Sequence, residues 1–386
     1  MPRVLVVHPG ATWSTADVFD GLTHGLRHWG CEVIEYRLDG RMAHEFRATA
    51  ALYRRSKQLH KDVPIKPDRI DTLYKASAEA VSVALIKKAD AVIVISAMFF
   101  HPAAILMLRR ANTKVVFMCT ESPYDLEHEL RLADLITKQD DYAGQLVNPL
   151  SGVWTNERSS VAAFQSVNPR SGYLKHAWHP ERHTPIPGAL DATVAAHDVV
   201  FVGTGGAAFK ERTEFFETID WTGIDLGLYG TWDGLSARSP LRPYVRASEV
   251  TNVMAAALYR RAKINLNFYR KSKGAGPNAS RLTTVAESLN PRAYELAACG
   301  AFHLSDPRAE VAETFGALVP TFTTAGEAEA LIRQWLADDA GRAAVAAQLP
   351  ARVAEDSWVH RARQVIGDLR SLLQPVDAPS APTAAA

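Results

Sequence analysis

Two glutamates, Glu287 and Glu295, stand with seven residues between them in the segment ESLNPRAYELAACGAFHLSD, 287–306. A carboxylate has two acceptor oxygens, so one such group can chelate both hydroxyls of a ribose through paired hydrogen bonds. Asn290-Pro291 reads as a helix start, with Asn as the cap and Pro in the first helical position. Gly300 supplies the stop. This spacing puts Glu287 in the loop before the helix and Glu295 about one turn inside it. The main-chain N–H groups of Ser288, Leu289, Asn290 and Arg292 then point out of the helix end, where they can hold hydroxyl or phosphate oxygens.

Other segments carry softer chemistry. The run Gly203 to Gly206 follows a buried strand, and glycines there allow either a close phosphate approach or a mere turn. Lys210 and Arg212 come next, as phosphate-neutralising cations or as a solvated first helical turn. Near the N-terminus, His8 and the loop Gly10 to Thr15, with Thr12 inside it, follow the first strand. A phosphate can approach there, although Ser14 or Thr15 as a helix cap explains the loop equally well. His101 is a rim residue that reads as support for a sugar or as structural. His176 and His179 stand near the expected hinge, and no histidine spacing reads as a metal site.

These residues need a scaffold, and the chain provides the pattern for one. Buried strands are expected at 4–7, 32–36, 91–95, 114–118, 154–155 and 173–174, then at 198–202, 226–229, 263–267 and 302–304. Helical periodicity lies between them, which implies parallel sheets covered by helices. At 386 residues the chain is too long for one ordinary domain and comfortable for two. The expected division is an N-terminal Rossmann-like domain over 1–180 with an insertion at about 37–88, and a C-terminal one over 198–357. A proline-containing linker joins them, a last helix spans 358–374, and a disordered tail covers 375–386. Ligands of such sheets bind beyond the carboxyl ends of the strands, so the two units should face each other across a cleft.

Composition narrows the function classes. Lys plus Arg number 43 and Asp plus Glu 42, so an all-over polyanion-binding surface is disfavoured. The three cysteines are far apart, which excludes a disulfide framework and a cysteine zinc site. The most apolar stretch, 89–108, is broken by Asp90, His101 and Pro102, so no membrane span is expected and the chain should be soluble and cytoplasmic. Segment 37–69 is an exception to the charge balance: nine basic residues face four acidic ones. It reads as a solvated helical hairpin or as an anion-binding surface.

The E-x7-E spacing, the helix and the trailing glycine resemble the motif of group 1 retaining glycosyltransferases of GT-B fold. More closely, S-x-x-x-R-x-Y-E-x-x-A-C-G-x-F at Ser288 to Phe302 resembles the CgeB-like (spore-coat, YkvP-type) glycosyltransferases. VFVGTG at Val200 to Gly205 with Arg212, the Leu228-Tyr229-Gly230 and Trp232 segment, and 153–156 with 174–180 are similar to further parts of that family. The resemblance spans roughly 90–365. It implies an α/β chain of GT-B type, two Rossmann-like domains facing across a cleft, that moves a sugar from a nucleotide-diphosphate donor such as a UDP-sugar to an acceptor hydroxyl. Glu295 would hold the nucleotide ribose and Glu287 would lie by the donor sugar. The backbone of Ser288, Leu289 and Asn290 would meet the sugar hydroxyls, with Gly203, Gly205 and Tyr229 on the nucleotide side.

Arg212, with Lys210 beside it, would neutralise the diphosphate. The family's usual R-x4-K pair is missing after the first strand of the C-terminal unit, and Arg292 stands where the family also has an arginine. The loop Thr120 to Asp125 resembles the family's D/E-x-P segment, which makes Glu121 and Asp125 acceptor-site candidates and, in an inverting enzyme, the general-base candidates. The motif favours retention, and GT-B sites typically work without a bound metal. The expected acceptor is a protein, a small glycan or a lipid-linked sugar, or more specifically a hydroxymethylated base in DNA, the last suggested by the basic insertion and the basic loop 270–281. A non-catalytic sugar-nucleotide-binding protein of the same shell is the alternative. A dinucleotide oxidoreductase is disfavoured by the lack of G-x-G-x-x-G after either first strand.

Overall fold

The computed structural model describes residues 1–8, 14–58, 69–95, 100–120, 149–269 and 286–374. The apolar runs form two sheets. The first contains β1 (Arg3–His8), β2 (Glu32–Arg37), β3 (Ala91–Ile95), β4 (Lys114–Cys119), β5 (Gly152–Thr155) and β6 (Ser171–Tyr173) in the order β2-β1-β3-β4-β5-β6. The second contains β7 (Val199–Val202), β8 (Leu226–Tyr229), β9 (Val245–Ala247), β10 (Ile264–Asn267) and β11 (His303–Ser305) in the order β11-β10-β7-β8-β9. Every pairing in both sheets is parallel. β9 was not expected from the sequence. It is a three-residue edge strand whose residues are half-buried or exposed, so no apolar run marks it.

Strand order reverses between β1 and β3 in the first sheet and between β7 and β10 in the second. Such switch points open a crevice beyond the strand ends. The ends of β7 and β10 carry Gly203 and Asn267, which places the second crevice beside the glycine run and the 287–306 segment.

Each face of the first sheet is covered. Leu5, Val7, Val92 and Val94 pack against Leu73, Ala76, Ala80, Ile105 and Leu108. Val4, Val6, Ile93 and Ile95 pack against Val18, Leu22, Leu26, Trp358, Val365 and Leu369. The insertion forms helices Leu38–Gln58 and Arg69–Ile86. Tyr36 of β2 donates to the Ala76 carbonyl at 2.7 Å, which ties the second helix to the sheet, and Arg41 pairs with Glu79, which joins the two helices. Arg47, Arg54 and Arg55 on its first helix are exposed.

The last helix, Trp358–Leu373, follows the second sheet in sequence but packs on the first. Its seat is helix Ser14–His28, where Gly21 and Gly25 lie one turn apart against Trp358. Trp29 donates to the Val359 carbonyl at 2.8 Å, and Trp154 donates to Asp368 at 3.0 Å. A methyl group on Gly25 would lie 2.3 Å from the Trp358 carbonyl oxygen and 2.7 Å from the Ala362 Cβ. Alanine favours helices over glycine by about 1 kcal/mol, yet overpacking costs about 1–3 kcal/mol. Gly25→Ala should therefore lower the urea midpoint of unfolding. An unchanged or higher midpoint would contradict this packing.

Candidate functional site

Helix Pro291–Ala298 is built as its sequence punctuation implies. The Asn290 side chain accepts from the Ala293 N–H at 2.9 Å, Pro291 opens the helix, and Gly300 has φ +62°. Glu295 lies on this helix, 8 % exposed, with the Tyr259 hydroxyl donating to it at 3.4 Å. Across from it stands Asp17 of helix Ser14–His28, itself 7 % exposed and hydrogen-bonded to Glu295. Arg182 donates to Asp17 at 2.7 Å and to Asp20 at 2.8 Å, and Asn252 adds a hydrogen bond to Asp17. Glu295 thus sits where the two sheet units and the linker meet.

Burial pushes the Glu295 carboxyl up to about 8, the nearby Asp17 pushes it the same way, and Arg292 opposes both. Burial raises Asp17 too, against the pull of Arg182. One proton is therefore retained between the two carboxyls near neutral pH.

Arg292 fills the crevice beyond β7 and β10. A methyl on Gly203 would lie 2.9 Å from its Nη2, its guanidinium stands 5.0 Å from the Phe201 ring centroid, and it donates to Asn267 Oδ1 at 3.5 Å. Lys210 is exposed at the start of helix Lys210–Thr218.

Arg212 requires a correction. It is 5 % exposed, donates to the carbonyls of Thr204 and Phe268, and packs against the rings of Phe201, Phe209 and Phe268 at 5.0–5.7 Å. Its charge is held beneath the crevice floor, where it braces the ends of β7 and β10. The glycine run is corrected similarly. Gly203 and Gly205 donate to the carbonyls of Tyr229 and Thr231 at 2.7 and 2.9 Å, and Gly205 abuts the Trp232 ring. Gly206 has φ +65°, which suits glycine. These N–H groups close a turn against the 229–233 segment and are not presented to a phosphate.

The main-chain donors ahead of the 291–298 helix are also occupied. Glu157, 2 % exposed, accepts from the N–H groups of Glu287 and Ser288 at 3.0 and 3.3 Å. Glu310 accepts from the Leu289 N–H at 2.9 Å and from the Tyr173 hydroxyl at 2.5 Å. The expectation that Ser288 and Leu289 offer open N–H groups is thereby corrected: carboxylates already accept from them. Glu287 pairs with Arg158 at 2.7 Å, and Arg158 also pairs with Glu313 at 2.8 Å. Arg158 and Glu287 are more than a third exposed, and such pairs contribute about 0–1 kcal/mol. The pair can open at little cost.

Tyr229 is buried, and its hydroxyl meets His197 at 2.9 Å, while His197 meets Asp225 at 2.8 Å. Its ring lines a pocket of about 420 Å³ with Val194, Arg246, Thr251 and Met254. His101 caps helix Pro102–Arg110, its Nδ1 accepting from the Ala103 N–H at 3.2 Å, so it is structural. Gly10, Thr12, Glu121 and Asp125, with the basic loop 270–281, lie outside the described residues.

Sequence spacing showed no metal site, yet among the described residues the fold gathers two groups with donor atoms within 4.8 Å of one another: His24, His179 and Glu181, and Asp17, His183 and Glu295. In both groups a histidine Nδ1 is already engaged. Glu181 N–H donates to His179 Nδ1 at 3.3 Å, and His179 N–H donates to His183 Nδ1 at 3.0 Å. Burial keeps both rings neutral, so the proton of each is assigned to Nε2. An Nε2–H is a donor, and ligation there would require moving the proton onto an occupied nitrogen.

Asp17, His183, Asn252, Tyr259, Glu157, Arg158 and Glu310 were not singled out from the sequence. They come from segments distant from Glu287 and Glu295, and no local spacing links them.

Residues 212–367 match a family model described as glycosyl transferase-like. Solved structures share the fold of the whole chain. A sucrose-phosphate synthase from Thermosynechococcus elongatus aligns with TM-score 0.63 at 14% identity, covering 96% of this chain and 99% of that one. An α,α-trehalose-phosphate synthase (UDP-forming) from Burkholderia vietnamiensis aligns with TM-score 0.59 at 12% identity, covering 96% and 99%. An E. coli trehalose-6-phosphate structure bound with UDP-2-fluoro glucose aligns with TM-score 0.59 at 12% identity, covering 97% and 99%. No curated protein matches by sequence. The expectations of a GT-B fold and of a glycosyltransferase are met: the two parallel-sheet α/β units share the fold of those structures, and residues 212–367, in the second unit and the last helix, match the glycosyl transferase-like model. Among the described residues, no helix is long and apolar enough to cross a membrane.

The Glu295 carboxyl binds its proton more tightly in the folded chain than in the unfolded one. Its stabilising effect is full below the ordinary carboxylate range and is lost as pH rises through about 8. Wild-type Tm should therefore fall across this window relative to Glu295→Gln, whose amide does not titrate. Parallel Tm profiles for the two proteins would contradict the shared proton.

Proposed function

We propose that the chain transfers a sugar from a nucleoside-diphosphate donor to an acceptor hydroxyl, with retention of anomeric configuration and without a metal. The observation that carries this reading is the place of Glu295, a buried carboxyl on a capped helix, beside Arg292 at the switch point of the second sheet. In this reading Glu295 accepts from the ribose hydroxyls of a UDP-type donor and exchanges its shared proton for them. Arg292, with the exposed Lys210, neutralises the diphosphate, and Arg212 holds the floor under it. The pocket beside Tyr229 offers room for the base.

Glu287 lies by the donor sugar once Arg158 releases it. The leaving phosphate oxygens then help deprotonate the acceptor on the same face, so the rate comes from positioning and charge neutralisation. The donor lies mainly on 198–357 and the acceptor on 1–180. The engaged Nδ1 atoms of His179 and His183 support a site without a metal. The finer assignment to the CgeB-like family rests on the Ser288 to Phe302 motif. A hydroxymethylated base in DNA is a second reading of the acceptor, favoured by the exposed Arg47, Arg54 and Arg55 on the insertion hairpin. Protein and glycan acceptors stay within the main reading.

Glu295→Ala should weaken UDP binding by about tenfold or more in calorimetric titration, since a buried acceptor pair for two hydroxyls is lost. Glu287→Ala should lower transfer while leaving UDP affinity within about twofold of wild type. Unchanged UDP affinity in Glu295→Ala would sink the ribose assignment.

A further inference from the structure

His183 is 1 % exposed, and its Nε2 has no hydrogen-bond partner. Its Nδ1 is fixed as an acceptor by the His179 N–H, so the buried Nε2 carries a hydrogen with nowhere to go. An orphaned buried donor is costly, by about 1–3 kcal/mol. One ring nitrogen of His183 and one carboxylate oxygen each of Asp17 and Glu295 lie within 4.8 Å of one another. A point set between three atoms so spaced can lie within about 2.8 Å of all three, which is hydrogen-bond range for an oxygen. Such a point suits one oxygen that both accepts and donates, set in place of the direct Asp17–Glu295 hydrogen bond. A carbonyl or phosphate oxygen could accept from His183, but it would face two carboxyls with only one proton between them. A hydroxyl satisfies the donor and donates to a carboxylate at once.

We propose that Asp17 and His183 complete the ribose site of Glu295, with one ribose hydroxyl held between the three side chains. This inference rests on the reading of Glu295 as the ribose ligand. Asp17 belongs to the first sheet's helix, His183 to the linker and Glu295 to the second sheet's helix, so one hydroxyl touches all three parts of the chain. The neighbouring charges suit it. Arg182 holds Asp17 as an acceptor, Asn252 steadies it, and Tyr259 steadies Glu295. The triad thus makes the site read the sugar of the nucleotide. A donor lacking that hydroxyl leaves the His183 N–H orphaned and the two carboxyls in contact.

The test is calorimetric titration of the full chain with UDP, GDP and ADP, then with the 2′-deoxy and 3′-deoxy forms of the tightest binder. Wild type should bind one deoxy form at least about tenfold more weakly than the parent. In His183→Leu the parent's affinity should fall to that of the deoxy form, whose own affinity stays within about twofold. His183→Gln, which keeps a side-chain donor, should recover part of the preference. Titration stoichiometry reports the fraction of each variant that is folded. A wild-type preference that persists in His183→Leu overturns the inference, as does an equal loss for parent and deoxy forms. No deoxy discrimination in wild type also overturns it. If no nucleotide binds wild type, the underlying reading of Glu295 fails. If Glu295→Ala loses affinity while His183→Leu keeps full discrimination, that reading stands and only the triad falls.

Discussion

A carboxyl group taken out of water must find a proton, a cation or hydroxyl donors, because an unpaired buried charge is unsustainable. Glu295 faces this demand at the meeting point of two sheet units and a linker, and one of its partners is another carboxyl, Asp17. The chain meets the demand with a retained proton, which Arg182 opposes on Asp17 and Arg292 opposes on Glu295.

The same demand, inverted, organises the segment just before the 291–298 helix. The N–H groups of Glu287, Ser288 and Leu289, just ahead of the cap, each need an acceptor. Glu157 from the first unit and Glu310 from the second supply it, and Tyr173 ties Glu310 back across the junction. Buried hydrogen bonds to carboxylates are stronger than neutral ones. The half-exposed Arg158–Glu287 pair beside them is weak by comparison. The site thereby combines a firm frame with one carboxylate that can be freed.

Legibility in the sequence followed how local each signal was. Val4 to Val7 and Ala91 to Ile95 announced buried strands because every residue is apolar, and Asn290, Pro291 and Gly300 marked their helix because caps act on adjacent residues. β9 was silent because an edge strand needs no apolar run. Arg212 was misjudged for a physical reason. An arginine beside a lysine and a glutamate looks solvated, and only the fold brings Phe201 and Phe268 around it. The glycine run showed where the backbone turns, but not that its N–H groups would be spent on the 229–233 segment. Asp17 and His183 reach Glu295 only through tertiary structure, and no spacing rule connects them.

The central claim is that this cleft activates a nucleotide sugar. It is tested most directly by incubating the chain with a panel of UDP-, GDP-, ADP- and TDP-sugars, with and without hydroxymethylated duplex DNA, and following donor loss and product mass by mass spectrometry. The account predicts that wild type releases free sugar or a glycosylated product from at least one donor, and that Glu295→Ala does so at a much lower rate. Wild-type turnover of no donor, with nucleotide binding intact, would contradict it and leave a sugar-nucleotide-binding protein in its place.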